Sequence, residues 1–407
     1  MRFIRMLAAL GSAAVFSAHA AEPVSLTTEE VVVTATRFKE RYIDTPVNVT
    51  VITADDIRQS AARTLPDLLS EQAGITIHDF FGNNASTTTV DLRGFGITGA
   101  QNTLILLDGR RLSDIDLSGI QWSAIPSAAI ERIEIVRGGG AVQYGDGATA
   151  GVINIITRSP AAIGNFAEAS GRLGTYGTFE GQLNANYFGS EAGFNVTASN
   201  LESDGYRANN ANRQSNLQAD VRWLTERGDL TLKLGADRQG IRLPGARQVQ
   251  PSAGVNQLET DRRGTSTPLD FATRDGNRAM LDWRGDAAFG EFNIGVGYRD
   301  KRQTSYFDFG GFPDYRAADL AVGSFTPRVR IAHRAFGRDN TLVAGFDWYR
   351  WDYRLRRANA MANIGRPINT VDAAQENSAL YLHHTTRVSE RATSAGWPSR
   401  RASACSA

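Results

Sequence analysis

Cysteine is nearly absent. Cys405 is the only one in 407 residues, which excludes an internal disulfide framework and a cysteine-based metal site. An excess of charge is lacking too: 44 Lys and Arg stand against 43 Asp and Glu, a formal +1. Bulk charge therefore points to neither a nucleic-acid partner nor an acidic tail. After the first twenty residues there is no long apolar run, which excludes helical membrane spans. Neither a Ser/His/Asp order nor zinc-type histidine spacing is present, so no catalytic residue, metal ligand or cofactor is expected. His383 and His384 are adjacent and, in a strand, point to opposite faces. Glycine, in contrast, is abundant at 40 residues, and aromatics are frequent; together they favour β-structure.

The N-terminus reads as a secretory signal over residues 1–20. Arg2 and Arg5 supply the charge, Met6 to Phe16 the apolar region, and Ala18-His19-Ala20 the small-residue cleavage site. A mature chain starting at Ala21 would work outside the cytoplasm. A short polar stretch then leads to EEVVVTATR, Glu29 to Arg37. Its β-branched centre favours extended backbone. An isolated strand has unpaired N–H and C=O groups that can add to a partner's sheet. The same segment also reads as the first strand of the following domain.

Residues 42–160 carry a mixed α/β pattern. Val47, Val49 and Val51 alternate as a strand, and Thr53 with Asp56 three residues on forms a capping box. A second helix starts near Thr64, places Leu65, Leu68 and Leu69 on one face, and stops at Gly74. Thr103 to Leu107 is a buried-type strand turned by Asp108-Gly109. A short helical turn at Pro126-Ser127 precedes strands at Arg132 to Val136 and Val152 to Thr157.

Four stretches occur in order: the EEVVVTATR segment, TVDLRGFG (Thr89 to Gly96), TLILLDGRRL (Thr103 to Leu112) and IPSAAIERIEIVRGGGAVQYGDGATAGVINIIT (Ile125 to Thr157). In this the chain resembles TonB-dependent outer-membrane receptors over nearly all of residues 29–158. The resemblance implies a plug domain that fills a barrel lumen, and a TonB-binding box at Glu29, Glu30, Val31, Val32, Val33, Thr34 and Ala35. It also implies that Arg93, Glu131, Glu134 and Arg137 are charged plug positions facing the barrel wall, although solvated strand-face charges would look the same. RGGGAVQYGDG (Arg137 to Gly147) lacks the Lys-Ser/Thr of a P-loop and the strand–GxGxxG–helix setting of a dinucleotide site. Its glycines suit tight turns.

Past Asn165 the period becomes two. Phe194, Val196 and Ala198 alternate with Asn195, Thr197 and Ser199. Leu230, Leu232 and Leu234 alternate with Thr231, Lys233 and Gly235. Phe292 to Tyr298 alternates with Asn293 to Arg299. Such alternation fits a sheet between lipid and a watery lumen, and equally a soluble sandwich. Connection lengths discriminate. Ten strands are expected, starting near Phe166, Thr178, Phe194, Ser215, Leu230, Asn277, Glu291, Ser324, Thr341 and Glu376. Short turns fall at 189–193, 226–229, 290 and 337–340, and long loops at 202–214, 240–275, 310–323 and 357–375. Tight turns on one side and loops on the other is the outer-membrane barrel arrangement. Aromatics at strand ends (Tyr306, Phe307, Phe309; Trp348, Tyr349, Trp351, Tyr353) suit an interfacial girdle.

The expected architecture is thus an incomplete membrane β-barrel of about ten antiparallel strands, against about 22 in transporters of this kind, with an N-terminal α/β plug. Its divisions are a signal peptide (1–20), a periplasmic coupling segment (21–41, box at 29–37), a plug (42–160), a partial barrel (161–392) and an aberrant tail (393–407). Past Thr393 no eleventh strand is expected, because Pro398 removes a ladder donor; a frameshifted or truncated product, inactive alone, is the reading. The family resemblance implies energised uptake of a scarce ligand. That ligand would be a ferric siderophore first, with cobalamin or haem as alternatives. The partners it implies are TonB with its proton-driven inner-membrane complex, a small metal chelate and outer-membrane lipid, for a monomeric receptor. Candidate ligand contacts are Phe80, Phe81, Asn83 and Asn84 in one plug loop and Asp116 and Gln121 in another. Arginines 242, 247, 262, 263 and 274 would suit an anionic chelate. A signalling receptor would need an added domain before the box; a passive porin would lack both box and plug. A surface-binding β-protein is the remaining alternative.

Overall fold

The computed structural model describes residues 32–33, 38, 40–41, 48–79, 88–116, 119–138, 144–160, 164–308, 310–389, 392–395 and 399–402. Strands β1 (Val32–Val33) and β2 (Glu40–Arg41) pair antiparallel, Val32 opposite Arg41. The plug follows: β3 (Asn48–Thr53), α1 (Ala54–Gln59), α2 (Leu65–Ser70), β4 (Ile75–His78), β5 (Thr89–Leu92), α3 (Gly99–Asn102), β6 (Thr103–Leu107), β7 (Arg110–Arg111), β8 (Ile130–Arg137) and β9 (Gly151–Thr157). Five of these strands form a sheet of order β3-β8-β9-β6-β7, with β6 and β9 parallel and the other pairs antiparallel.

Local chemistry explains these elements. Thr53 with Asp56, and Thr64 with Asp67, form reciprocal capping boxes that satisfy the first amides of α1 and α2. Gly74 ends the second helical segment at φ +76°. Asp108 and Gly109 take φ of +50° and +79° between β6 and β7, the two positive angles that a tight hairpin of this hand requires. The core contains Leu69, Leu92, Ile105, Ile133, Ile135, Ile153 and Ile155, and Met280 reaches into it from the surrounding wall.

The wall is an antiparallel meander: β10 (Phe166–Leu173), β11 (Phe179–Phe188), β12 (Ala192–Ser203), β13 (Asn212–Thr225) and β14 (Gly228–Arg242) come first. A loop follows, containing β15 (Val249–Gln250), β16 (Val255–Asn256) and α4 (Gln257–Thr260). Next come β17 (Phe271–Ala287), β18 (Gly290–Asp308), β19 (Pro313–Phe325), β20 (Arg328–Ala335), β21 (Arg338–Ala358) and β22 (Asn369–Ser389). Among the described residues β10 pairs only with β11, so the sheet is open there.

Two expectations are corrected. The long connection read at 310–323 is strand: β19 begins at Pro313, the first residue of a strand, where a missing N–H is tolerated. β19 and β20 lie end to end between β18 and β21. The break between them holds Thr326, whose amide donates to the Gly295 carbonyl, and Pro327, which has no N–H to donate to the ladder. Past Thr393, where no eleventh strand was expected, β23 (Ala392–Ala395) continues to Ala395 and β24 (Ser399–Ala402) follows, both paired with β22. Pro398 falls in the three-residue gap between these two pieces.

Side-chain exposure separates the two kinds of alternating sheet. Phe194, Leu234, Val296 and Tyr298 are 42–52% exposed on the outer face, whereas Asn195, Thr197 and Asn293 are at most 5% exposed on the inner one. A soluble sandwich buries its apolar face; this sheet buries its polar face around the plug and turns its apolar face outward, as a lipid-facing wall does. Among the described residues no helix is long and apolar enough to cross a membrane.

Candidate functional site at the plug and the wall

Of the coupling segment, Val32 and Val33 are described. β1 pairs with β2, and no described strand pairs with its other edge. Residues 29–31, 34 and 35 lie outside the described residues, as do Phe80, Phe81, Asn83 and Asn84. Asp116 and Gln121, read as ligand contacts, meet the wall. Asp116 is 3.6 Å from Lys301. The Gln121 amide donates to Gln239 at 3.1 Å and its carbonyl accepts from Arg274.

The four charged plug positions make their described bonds inside the plug. Glu134, fully buried, accepts from Arg132 at 2.9 Å, and Glu131 pairs with the same arginine. Arg137 donates to Thr50 and to the Ala73 carbonyl. Arg93 is exposed at φ +73°, its amide bonded to the Gly74 carbonyl. The loop arginines are engaged as well. Arg247 pairs with Asp261, Arg262 donates to the Leu258 carbonyl, Arg263 lies over Tyr176 and Tyr206, and Arg242 lies over Phe271.

Most of the described plug–wall bonds come from residues 108–116 and 121–125, with Ala128, Thr157 and Ser159 adding others. At the hairpin tip, Lys233 of β14 reaches the Asp108 carboxylate at 2.9 Å, Asp220 at 3.1 Å and the Thr157 hydroxyl at 2.6 Å. Arg110 forms a two-pronged pair with Asp282 of β17, at 3.0 and 2.9 Å, the geometry in which guanidinium–carboxylate bonds are strongest. Gly295 and Gly297 of β18 make room for it: a Cβ at either would meet Arg110 atoms at 2.5 and 3.0 Å. Asp114 accepts from Lys301 at 2.7 Å and pairs with Arg299. Gln214 and Gln218 donate to the carbonyls of Ser123 and Ala124.

Burial alone would raise the carboxyls of Asp108 and Asp114. Lys233 beside the first, and Arg299 and Lys301 beside the second, outweigh burial and hold both below the ordinary 3.8. A depressed folded value means that their contribution is complete above the unfolded value and is lost as pH falls through the folded one. Plug seating, followed by amide exchange of β6 and β9, is expected to weaken as pH falls below the ordinary carboxylate range, where these two carboxylates are protonated.

Most of these docking groups were not singled out in the sequence. Asp108 reads as a turn residue, and Lys233 and Arg299 as polar members of alternating strands. The available signal was their charge on the inward face, which a plug would have to neutralise.

Residues 41–152 match the family model described as TonB-dependent Receptor Plug Domain. The chain is 39% identical over 131 residues to the Vitamin B12 transporter BtuB of Vibrio cholerae, covering 32% of this chain and 21% of that protein. It is 36% identical over 151 residues to the Iron-regulated outer membrane virulence protein of the same species, covering 35% and 22%. Among solved structures, the unliganded ferric citrate transporter FecA superposes with a TM-score of 0.70 at 18% identity, over 84% of this chain and 55% of that one. The ferripyoverdine receptor of Pseudomonas aeruginosa gives 0.72 at 13% identity, over 88% and 52%. At these identities the structures speak for the fold alone. The chain's matches span about a fifth of the length of those curated relatives.

Proposed function

Since this chain belongs to the TonB-dependent receptor family, we propose that it carries the plug, the coupling segment and the first barrel strands of an outer-membrane receptor for energised uptake of a ferric siderophore. It is not an enzyme: capture and passage of a ligand make and break no covalent bond. The observation that carries the reading is the plug itself, ion-paired to the polar inner face of a sheet whose outer face is apolar. A ligand held above the plug would be taken from the exterior. TonB, driven by the inner-membrane proton gradient, would pair with the coupling segment and pull. Backbone pairing suits this task, because it grips without a deep pocket.

Arg274, Arg278, Arg299 and Lys301 line one crevice between plug and wall, with Asp114 and Asp237 beside them. Plug movement would take Asp114 away and leave these cations for an anionic chelate, which favours a ferric siderophore. Cobalamin is the second reading, favoured by the identity to a vitamin B12 transporter, although that identity covers 32% of this chain.

Deleting residues 29–35 tests the coupling role. The purified periplasmic domain of TonB is expected to bind the detergent-solubilised chain and to lose that binding in the deletion variant, while amide exchange of the plug core stays as it was. Equal binding by both forms would overturn the reading.

A further inference from the structure

Phe38 lies between the two strands of the coupling hairpin, just beyond the segment assigned to TonB. It is 4% exposed. Its ring packs with Val343 of β21 and Tyr381 of β22. The guanidinium carbons of Arg328 and Arg330, both on β20, stand 6.0 and 5.3 Å from the ring centre, within the range of a cation–π contact. Those two arginines are themselves fixed, Arg328 to Asn293 and Arg330 to Glu291. This seat lies towards the short-turn end of the wall, where Arg330 stands opposite Glu291, close to the connection at 288–289.

The ring also borders a cavity of about 150 Å³ between plug and wall, whose lining includes Asp108, Lys233, Asp282 and Arg284. Phe38 therefore stands where the coupling chain, the wall and the polar plug–wall crevice meet.

We propose that Phe38 is a positioning residue that anchors the coupling segment to the barrel wall and closes this crevice. The inference rests on the coupling role of residues 29–35. A pull on that segment first meets the pairing of β1 with β2, two residues long. Phe38 comes next, and strand β3 of the plug sheet is loaded only afterwards. Withdrawing the ring frees β1 for its partner and opens the crevice beside Lys233 and Asp108. The anchored form withholds the binding-competent edge, so the anchor lowers apparent affinity by the fraction of chains still seated.

The test is amide exchange of residues 32–41 in the solubilised chain, together with affinity for the TonB periplasmic domain. Losing a buried ring and two cation–π contacts in Phe38→Ala is expected to speed exchange roughly tenfold and tighten binding by a similar factor. Phe38→Leu, which keeps an apolar side chain but no ring face, should fall between. The paired substitutions Arg328→Gln and Arg330→Gln leave the ring in place and should give a smaller increase of the same sign. Wild-type exchange in Phe38→Ala overturns the anchor. Should Phe38→Ala disrupt the plug, judged by exchange of β9, the arginine variant decides, and an unchanged rate there overturns it. If TonB binds none of the forms, the coupling role falls while exchange still judges the anchor.

Discussion

Lys233→Met is expected to loosen the plug from its wall by about 3–5 kcal/mol, the usual cost of removing one partner from a buried charge pair. The ammonium group stands 2.9 Å from Asp108 and 3.1 Å from Asp220, with the Thr157 hydroxyl at 2.6 Å. Methionine fills similar space but leaves two carboxylates without the cation that lies between them. Adding Asp108→Asn to Lys233→Met should recover part of the loss, because one uncompensated charge is then gone. The contrast is Arg238, which pairs with Asp275 on the outer face and is 80% exposed. Its replacement should leave stability nearly unchanged, because an exposed pair is screened by solvent. Amide exchange of β6 and β9 reads both. Equal effects from Lys233 and Arg238 would mean that the inner network does not hold the plug.

Gly151→Ala is the second large effect. Gly151 opens β9 at φ +154°, paired with Arg137 on one side and Thr103 on the other. A Cβ there would sit 2.4 Å from the Val136 carbonyl oxygen and 2.4 Å from a methyl of Leu92. Both neighbours are fully buried, so neither side can give way freely. Backbone strain of about 1–3 kcal/mol and overpacking of about 1–3 kcal/mol act together on the middle of the plug sheet. Gly240, where an added Cβ meets nothing within 4 Å, is the matched control; alanine there should be neutral or stabilising by roughly 0.5–1 kcal/mol. Denaturant unfolding in detergent measures both, and a neutral Gly151→Ala would mean that β8 and β9 can part without loss.

Much of the fold was legible because its signals are local. Thr53 with Asp56 announces a helix start within four residues. Asp108-Gly109 announces its hairpin within two. Alternation at Phe194, Leu230 and Phe292 marks wall strands, yet cannot say which face is buried; that depends on what the sheet encloses. The start of β19 was hidden because Gly310, Gly311 and Pro313 read as loop, and only pairing with β18 and β21 makes the segment strand. The site was harder still. Arg110 and Asp282 are 172 residues apart in sequence, and no local pattern links them. Asp116 and Gln121 were legible as polar loop residues, but the direction they face is set by the wall. Phe38 lies one residue beyond the stretch that reads as a handle, and its seat is built by strands about three hundred residues later.

The inverted polarity of the wall bears on how this chain can acquire its shape. In water, collapse hides hydrocarbon and leaves charge outside, so an aqueous solvent would favour the sheet turned over, with Leu232 covered and Lys233 hydrated. Which side becomes concave is therefore chosen by the medium as much as by the polypeptide. Only hydrocarbon outside, and the plug's own carboxylates within, make the observed curvature the lower-energy one.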